Sequence, residues 1–184
     1  MTPHSDRAFT TIACTILCGI AAINLASTLQ LAKHAPAAHT EITVSRAALF
    51  DAARVLGNYK CGDMLLAERI ARVSERVGVS AALLAAKIST ESSCNHLAVS
   101  NKKAIGYAQI LPHIWDCERP RKKGEPCWDF SKVNLLNEEE NILVGATILK
   151  YMIDTHGMEK GVARYNGEGD AAAAYAKAVI GRAK

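Results

Sequence analysis

Glu91 is the residue of this chain that is hardest to explain as a purely structural one. It ends a stretch rich in Ala and Leu, Ala81 to Glu91, which runs out into a polar sequence. A carboxylate at the C-terminal end of a helix lies at the negative end of the helix dipole, and apolar neighbours such as Leu84 and Ile88 further disfavour its charge. Both effects favour the protonated acid. Such an acid can donate a proton to the leaving oxygen, which the cleavage of a glycosidic bond requires.

Other catalytic groups are harder to find in the sequence. Glycoside hydrolysis normally needs a second carboxylate across the sugar from the first. A metal site would need closely spaced Cys or His residues, and a peptidase would need a metal triad or a Ser or Cys with a His base; neither pattern is present. We therefore expect no metal and no cofactor. Four acidic residues could supply the second carboxylate, although none can be placed opposite Glu91: Asp116, Glu118, Glu125 and Asp129.

Three motifs in chain order surround this glutamate. The first is Glu91-Ser-Ser-Cys-Asn95, continued by Ser100, Ala104, Gly106, Gln109, Ile110 and Pro112; the second is Asn141-Ile-Leu-Val-Gly145; the third is Ala163-Arg-Tyr-Asn-Gly167. Together they resemble the lytic transglycosylases related to goose-type lysozyme. The resemblance covers most of the chain from Cys61 to Ala183.

The resemblance implies a reaction and a substrate. Glu91 would be the only catalytic acid and base. It would protonate the oxygen between N-acetylmuramic acid and N-acetylglucosamine in peptidoglycan and then take the proton of the muramoyl 6-hydroxyl, leaving a 1,6-anhydromuramoyl end. Ser100 and Gln109 would line the sugar groove and form hydrogen bonds with the glycan, and Gly106 would let the backbone approach it.

The resemblance also gives roles to residues in the third motif, and the residue types suggest a role for nearby aromatic rings. Tyr165 would hold or polarise the catalytic carboxyl, and Asn166 would fix the loop that contains Tyr165. Tyr107 could stack on a sugar ring, as could Trp115 or Trp128, although an aromatic residue in a chain with so few of them could equally well lie in the core.

Two alternatives stay open at this point. A hydrolytic lysozyme would use water in place of the muramoyl hydroxyl. A non-catalytic peptidoglycan-binding component of a secretion, conjugation or phage apparatus would bind the glycan without cutting it. The presence of Glu91 and of Tyr165-Asn166 favours an enzyme. A short anchor without accessory domains further suggests an enzyme that opens the wall locally for such a trans-envelope apparatus or for a phage.

The apolar pattern predicts a series of helices that would position these residues. Apolar residues in the second helix recur every three or four positions, which is typical of a helix with one buried face. The expected fold is all-α and lysozyme-like. The predicted helices are one capped by Ser45 that runs through Tyr59, one capped by Asp63 and stopped by Gly78, one capped by Ser80 that ends near Glu91, one begun by Asn137 and ended by Gly157, one near Met158 to Arg164, and one from Ala171 to Arg182.

Composition limits the classes of protein to consider. The chain has 184 residues, of which 49% are hydrophobic and 22% charged, as expected for one folded domain with a short appendage. A net charge of +4 is too small and too scattered to predict nucleic-acid binding. The irregular segment between Asn95 and Glu138 is the predicted binding surface, and it holds a basic cluster: Arg119, Arg121, Lys122 and Lys123.

The cysteines indicate an oxidising compartment. Cys61, Cys94, Cys117 and Cys127 lie outside the apolar N-terminal run, and four cysteines in an exported domain predict two disulfides. Three pairings are possible. The loop between Cys117 and Cys127 is short and contains two prolines and a glycine, so this pair is the easiest to close, which would leave Cys61 for Cys94.

The N-terminal region predicts export. Residues 8–32 contain no charged side chain and are long enough as a helix to cross a bilayer core of about 30 Å. An uncleaved signal anchor is favoured over a cleaved signal peptide. The protein would then lie in the inner membrane with a periplasmic domain, or be periplasmic or exported after cleavage, with virion association as a further possibility. The expected layout is an anchor or signal peptide at 1–33, a linker at 34–44 and a lysozyme-like transglycosylase domain at 45–184.

Overall fold

The computed structural model describes residues 44–184, and these residues form an all-helical domain, as predicted. The proposed anchor at residues 8–32 lies outside this range. Between residues 44 and 184, no helix is both long and apolar enough to cross a membrane. The helices are α1 (Arg46–Asn58), α2 (Met64–Val77), α3 (Ala81–Ser92), α4 (Pro112–Trp115), α5 (Glu138–His156), α6 (Met158–Asn166) and α7 (Asp170–Arg182).

The predicted helix starts are confirmed at four positions. The side chains of Ser45, Asp63, Ser80 and Asn137 each accept a hydrogen bond from the backbone N–H three residues further on, at distances of 2.9 to 3.3 Å. Gly78 ends α2 with a φ of +76°, a left-handed conformation that glycine adopts without steric penalty. Helix α6 continues two residues beyond its predicted end, to Asn166.

Helix α3 forms the centre of the domain. Every residue from Ala81 to Ser89 is buried, and the helix packs against α1, α2 and α7. Its Ala and Leu side chains let neighbouring helices approach on several sides, which explains why the sequence shows no polar face here. The helix therefore carries Glu91, at its C-terminal end, on the most completely packed element of the fold.

Two disulfides are present, Cys61–Cys94 and Cys117–Cys127, the pairing favoured by the short second loop. The first joins the loop after α1 to the loop after α3, three residues from Glu91. The second closes a loop in the irregular segment between α3 and α5. This segment packs on a smaller core of its own, which consists of Ala108, Ile110, Trp115, Leu135, Val144 and Ile148.

Candidate active site

Glu91 lies in the last turn of α3 with its carboxyl group near the surface. The side chain is 14% exposed, so the carboxyl group can still reach a bound molecule. The hydroxyl of Tyr175, on α7, donates a hydrogen bond to Glu91 Oε1 at 2.7 Å. The C-terminal helix therefore fixes the orientation of this carboxyl group. Tyr175 was not among the predicted site residues, because the Ala-rich pattern of α7 does not show which of its side chains faces α3.

A buried lysine lies one turn before the glutamate. The Lys87 side chain is fully buried, and its Nζ donates to the carbonyl oxygen of Ala108 at 3.0 Å. The same nitrogen lies 3.9 Å from Glu91 Oε1 and 3.8 Å from the centroid of the Tyr165 ring. Burial lowers the pKa of Lys87 to about 8, and the nearby Glu91 opposes this shift. The apolar surroundings expected for the acid are thus incomplete, since a cation lies within the same cluster.

Tyr165 has a different partner from the predicted one. Its hydroxyl donates to Ala108 O at 2.9 Å and makes no hydrogen bond with Glu91. The hydrogen bond to the Glu91 carboxyl group comes from Tyr175, and the role of Tyr165 in holding or polarising that carboxyl stays a prediction. Burial, assisted by the charge of Glu91, raises the pKa of both tyrosines above the ordinary value, so both hydroxyls keep the proton that they donate.

Asn141 links α5 to the loop that follows Glu91. This loop, residues 98–111, is called the groove loop here. The buried Asn141 side chain accepts from Ala108 N at 2.8 Å and donates to Ile105 O and Leu135 O, both at 2.9 Å. The sequence indicated a residue in a motif at a helix start. The structure shows that this side chain makes three hydrogen bonds, of which two connect α5 to the groove loop and the third binds Leu135 O.

Gly106 is required for a reason other than contact with a glycan. It is buried, its φ is +76°, and a Cβ atom built on it would lie 2.2 Å from Asn141 Nδ2 and 2.9 Å from Leu135 O. The absent side chain therefore makes room for Asn141. The approach of this backbone to a sugar stays a prediction, and it could occur only on a side of Gly106 that Asn141 does not fill.

Ser100 and Gln109 both form hydrogen bonds with backbone groups of the groove loop. Ser100 Oγ accepts from Ala104 N at 3.0 Å, and Gln109 Nε2 donates to Ala98 O at 3.2 Å and Gly106 O at 3.0 Å. Both side chains are half-buried. Within the described residues, the Ser100 hydroxyl hydrogen and the Gln109 amide oxygen have no protein partner, so each keeps one group that can bind a ligand.

The aromatic rings of the segment belong to the core. Tyr107 is 6% exposed, and its hydroxyl donates to Glu138 Oε2 at 3.3 Å. Burial, with a further contribution from Glu138, raises the pKa of Tyr107 to about 12. Trp115 is buried and packs edge to face with Trp128 at 6.5 Å between ring centroids. Stacking of Tyr107 or Trp115 on a sugar is therefore excluded in this conformation, and the alternative prediction of core packing is confirmed for these two rings.

Two arginines of the basic cluster form hydrogen bonds with the backbone of their own segment. Arg119 and Arg121 each donate to the carbonyl of Ile114, at 2.7 and 2.9 Å, and Arg121 also pairs with Glu125. Lys122 and Lys123 are exposed. Of the predicted basic surface, therefore, Arg121 is half-buried and paired, whereas Arg119 and the two lysines remain exposed.

Within the described residues, the remaining predicted residues make no hydrogen bond or ion pair with Glu91. Asn166 is exposed at the end of α6. Three of the candidate second carboxylates, Asp116, Glu118 and Asp129, line a separate depression that does not include Glu91. Among residues 44–184, no group of three or more His, Cys, Asp or Glu side chains could hold a metal ion.

Comparisons with known proteins agree with this geometry. The family described as "Transglycosylase SLT domain" matches residues 68–179, more than half of the chain. "Membrane-bound lytic murein transglycosylase C" of Edwardsiella ictaluri is 34% identical over 90 residues, which are 48% of this chain and 24% of that protein. The protein of the same name from Pectobacterium atrosepticum is 32% identical over 88 residues, 47% and 24% of the two chains. The chain thus spans about a quarter of the length of these curated relatives. No solved structure matches it.

Proposed function

Since the chain belongs to the family of transglycosylase SLT domains, we propose that it is a peptidoglycan lytic transglycosylase. It would cleave the β-1,4 bond between N-acetylmuramic acid and N-acetylglucosamine and leave a 1,6-anhydromuramoyl end. The observation that carries this proposal is the environment of Glu91. One carboxyl group lies at the end of the central helix, fixed by Tyr175 and still partly exposed to a substrate.

In the first step, the protonated Glu91 carboxyl group gives its proton to the glycosidic oxygen. The bond between that oxygen and the muramoyl C1 breaks, and N-acetylglucosamine leaves with a 4-hydroxyl group. A glycosidic oxygen is a poor leaving group without this proton, so a general acid lowers the barrier substantially. The electron deficiency that develops at C1 is left on the muramoyl residue, and Glu91 becomes a carboxylate.

In the second step, the Glu91 carboxylate takes the proton of the muramoyl 6-hydroxyl, and the oxygen of that hydroxyl forms a bond to C1. This closes the 1,6-anhydro ring and returns Glu91 to its protonated form. Attack within one molecule needs no bound water and no second carboxylate, and it benefits from the proximity of the two reacting groups. The Tyr175 hydroxyl donates to Glu91 and so holds the orientation of the carboxyl through both steps.

Substrate binding is proposed for the predicted residues that keep a free polar group. Ser100 and Gln109 would bind the sugar through the hydroxyl hydrogen and the amide oxygen, and the exposed Asn166 would contact the glycan from α6. Gly106 and Tyr107 would act indirectly, through the shape of the groove loop.

We also propose the layout and location expected from the sequence: an anchor or signal peptide at 1–33, a linker at 34–44 and the catalytic domain at 45–184. Two disulfides support a periplasmic or other cell-envelope location, where oxidised cysteines persist. The names of the relatives include the term "membrane-bound", which agrees with this location. We propose that this enzyme opens the wall locally for a trans-envelope apparatus or a phage. Normal assembly of that apparatus in cells whose chain carries Glu91→Gln would refute this role.

The test of the activity is a mass spectrum of the fragments that the full 184-residue chain, purified in detergent, releases from peptidoglycan. Glu91→Gln keeps the size of the side chain and removes the acid, and Glu159→Gln, at an exposed position of α6, is the matched control. We expect anhydromuramoyl ends from the unmodified chain and from Glu159→Gln, and at least about a 100-fold lower yield from Glu91→Gln. Reducing muramoyl ends would instead identify a lysozyme. No release by a folded, unmodified chain would favour a binding component.

A further inference from the structure

Lys87 is a buried charged group that the two-step mechanism does not use. It is the largest fully buried side chain of the domain, on a helix whose other buried residues are mainly Ala, Leu and Ile. Removing a lysine from water is unfavourable, and an apolar side chain of similar length would fill the same space without that penalty. Packing alone therefore does not explain why a lysine is found here.

The surroundings of Lys87 hold its ammonium group in one place. The hydrogen bond to Ala108 O fixes the nitrogen against the groove loop, and the face of the Tyr165 ring covers it at 3.8 Å. Glu91 Oε1 lies 3.9 Å away, too far for a hydrogen bond but within range of strong electrostatic attraction. Three parts of the chain, namely α3, the groove loop and α6, thus meet at this nitrogen.

The other titratable or charged groups around this pair come from α6 and α7. Tyr165 covers the ammonium, and Tyr175 donates to Glu91. Arg182 reaches α3 at Ser89, where its Nη1 lies 3.3 Å from the serine Oγ. Burial raises the pKa of both tyrosines, so they stay neutral. The charge that changes beside Lys87 during the proposed reaction is therefore that of Glu91.

We propose that Lys87 is a positioning residue for this reaction: its ammonium stabilises the Glu91 carboxylate formed by the first proton transfer and fixes the groove loop beside the acid through Ala108 O. The proposal rests on the function proposed above. Lys87 keeps its proton throughout and makes no bond to substrate. Its role is to place a fixed positive charge where negative charge appears and disappears on Glu91.

Lys87→Met separates this role from packing, because Met has a similar length, fits an apolar helix and carries no charge. Without the cation, the Glu91 carboxylate is less stable, so the first proton transfer slows. We expect kcat to fall by about 10-fold or more with little change in KM. The advantage of the unmodified chain should also shrink above about pH 8, where Lys87 loses its charge, so the two pH profiles should differ on the alkaline side.

The experiment compares the full chain, Lys87→Met and Lys150→Met. Lys150 pairs with Asp154 four residues further along α5 and is the matched control, since it also loses an i, i+4 partner but lies outside the cluster. For each protein, the rate of anhydromuramoyl release is measured against pH, and urea unfolding at pH 7 gives the fraction folded. We expect Lys87→Met to be folded and slow with an altered alkaline pH profile, and Lys150→Met to match the unmodified chain in both respects.

Two results would overturn the proposal, and they differ from each other. If the unmodified chain is active and Lys87→Met has the same kcat per folded molecule and the same pH profile, Lys87 has no positioning role and the proposed function stands. If the unmodified chain releases no anhydromuramoyl products, the proposed function itself is refuted, and the role of Lys87 in that reaction is refuted with it.

Discussion

Glu91 and the irregular segment that follows it, residues 93–137, are held in place in different ways. Glu91 is positioned by helices: α3 carries it, α7 supplies the Tyr175 hydroxyl, and α6 covers the neighbouring Lys87 with Tyr165. The irregular segment has little regular structure and depends on its own side chains, on both disulfides, through Cys94 and the pair Cys117–Cys127, and on hydrogen bonds from Asn141 of α5. The acid is thus held by packed helices, whereas the groove loop is held by a few buried side chains, such as Tyr107 and Ile110, and by individual polar contacts.

This difference explains which residues are available for substrate. A segment with one short helix, α4, must bury apolar surface through individual side chains, so Tyr107 and Trp115 are used for packing. Polar side chains satisfy its loop carbonyls and N–H groups: Gln109 from within the segment and Asn141 from α5. Residues that resemble a sugar-binding surface in the sequence therefore stabilise the loop, and the helices provide the geometry for the chemistry.

The largest effect on stability is expected from the disulfide nearest the acid. Cys61–Cys94 spans 33 residues and Cys117–Cys127 spans 10. Because a longer closed loop restricts the unfolded chain more, replacing the first pair by Ala should lower the free energy of unfolding by about 4 kcal/mol, and the second by about 3 kcal/mol. Urea denaturation measures both. Removal of the first pair should also reduce activity more, and the reverse order would contradict a site centred on the helical core.

Substitution of Asn141 tests the hydrogen bonds that join α5 to the irregular segment. In Asn141→Ala, Ala108 N and Leu135 O lose their partner in a buried place, whereas Ile105 O keeps a backbone hydrogen bond from Ile110. We expect a loss of about 2–4 kcal/mol in the free energy of unfolding. Hydrogen exchange should increase in the groove loop and stay slow in α3. Equal increases in both would show that the two regions unfold as one unit.

The buried charge of Lys87, in the helical region, makes the free energy of unfolding depend on pH. Its pKa is about 8 in the folded protein against an ordinary 10.5, so between these values the unfolded chain binds more protons and stability rises with pH. Below about pH 8 both states are protonated, and the folded state bears the full penalty of the buried charge. Relative to Lys87→Met, the unmodified chain should gain about 3 kcal/mol from pH 7 to pH 10.5. Parallel stability curves for the two proteins would contradict a buried, charged lysine.

The smallest effect on stability is expected from the removal of a single tyrosine hydroxyl group. Tyr175→Phe removes the donor to Glu91, and Tyr165→Phe removes a donor to Ala108 O, which keeps the hydrogen bond from Lys87. Each substitution should lower the free energy of unfolding by about 1 kcal/mol. Only Tyr175→Phe should lower kcat clearly, by about 10-fold, because it alone frees the carboxyl to rotate. A larger fall in kcat for Tyr165→Phe than for Tyr175→Phe would instead support the predicted role of Tyr165 in holding or polarising the Glu91 carboxyl.

Much of the fold was predictable because its signals are local. The side chains of Ser45, Asp63, Ser80 and Asn137 cap the helices that they were predicted to cap, since an N-cap depends only on the next three residues. The disulfide Cys117–Cys127 was also predictable from a local signal, the short loop between its two cysteines. The position of Glu91 at the end of a buried helix was also visible in the sequence.

The residues around Glu91 were harder to predict because they come from distant parts of the chain. Tyr175 lies 84 residues after Glu91 and reaches it only through the crossing of α7 and α3. Lys87 has a local signal, four residues before Glu91 on a helix of Ala and Leu, but its burial depends on packing from α6 and the groove loop. In the groove loop, side-chain directions follow no period, so the sequence could not decide whether Tyr107 faces inward or outward, and it could not show that Asn141 fills the space beside Gly106.

The central claim is that Glu91 acts alone and that the substrate's own hydroxyl replaces water. Digestion of peptidoglycan by the full chain in water enriched in oxygen-18 tests this directly, with the mass of each new muramoyl end as the measurement. We predict anhydromuramoyl ends with the same mass as in ordinary water. Reducing ends that each carry one oxygen-18 atom would contradict the claim, because they would require a water molecule at C1 and a second group to activate it.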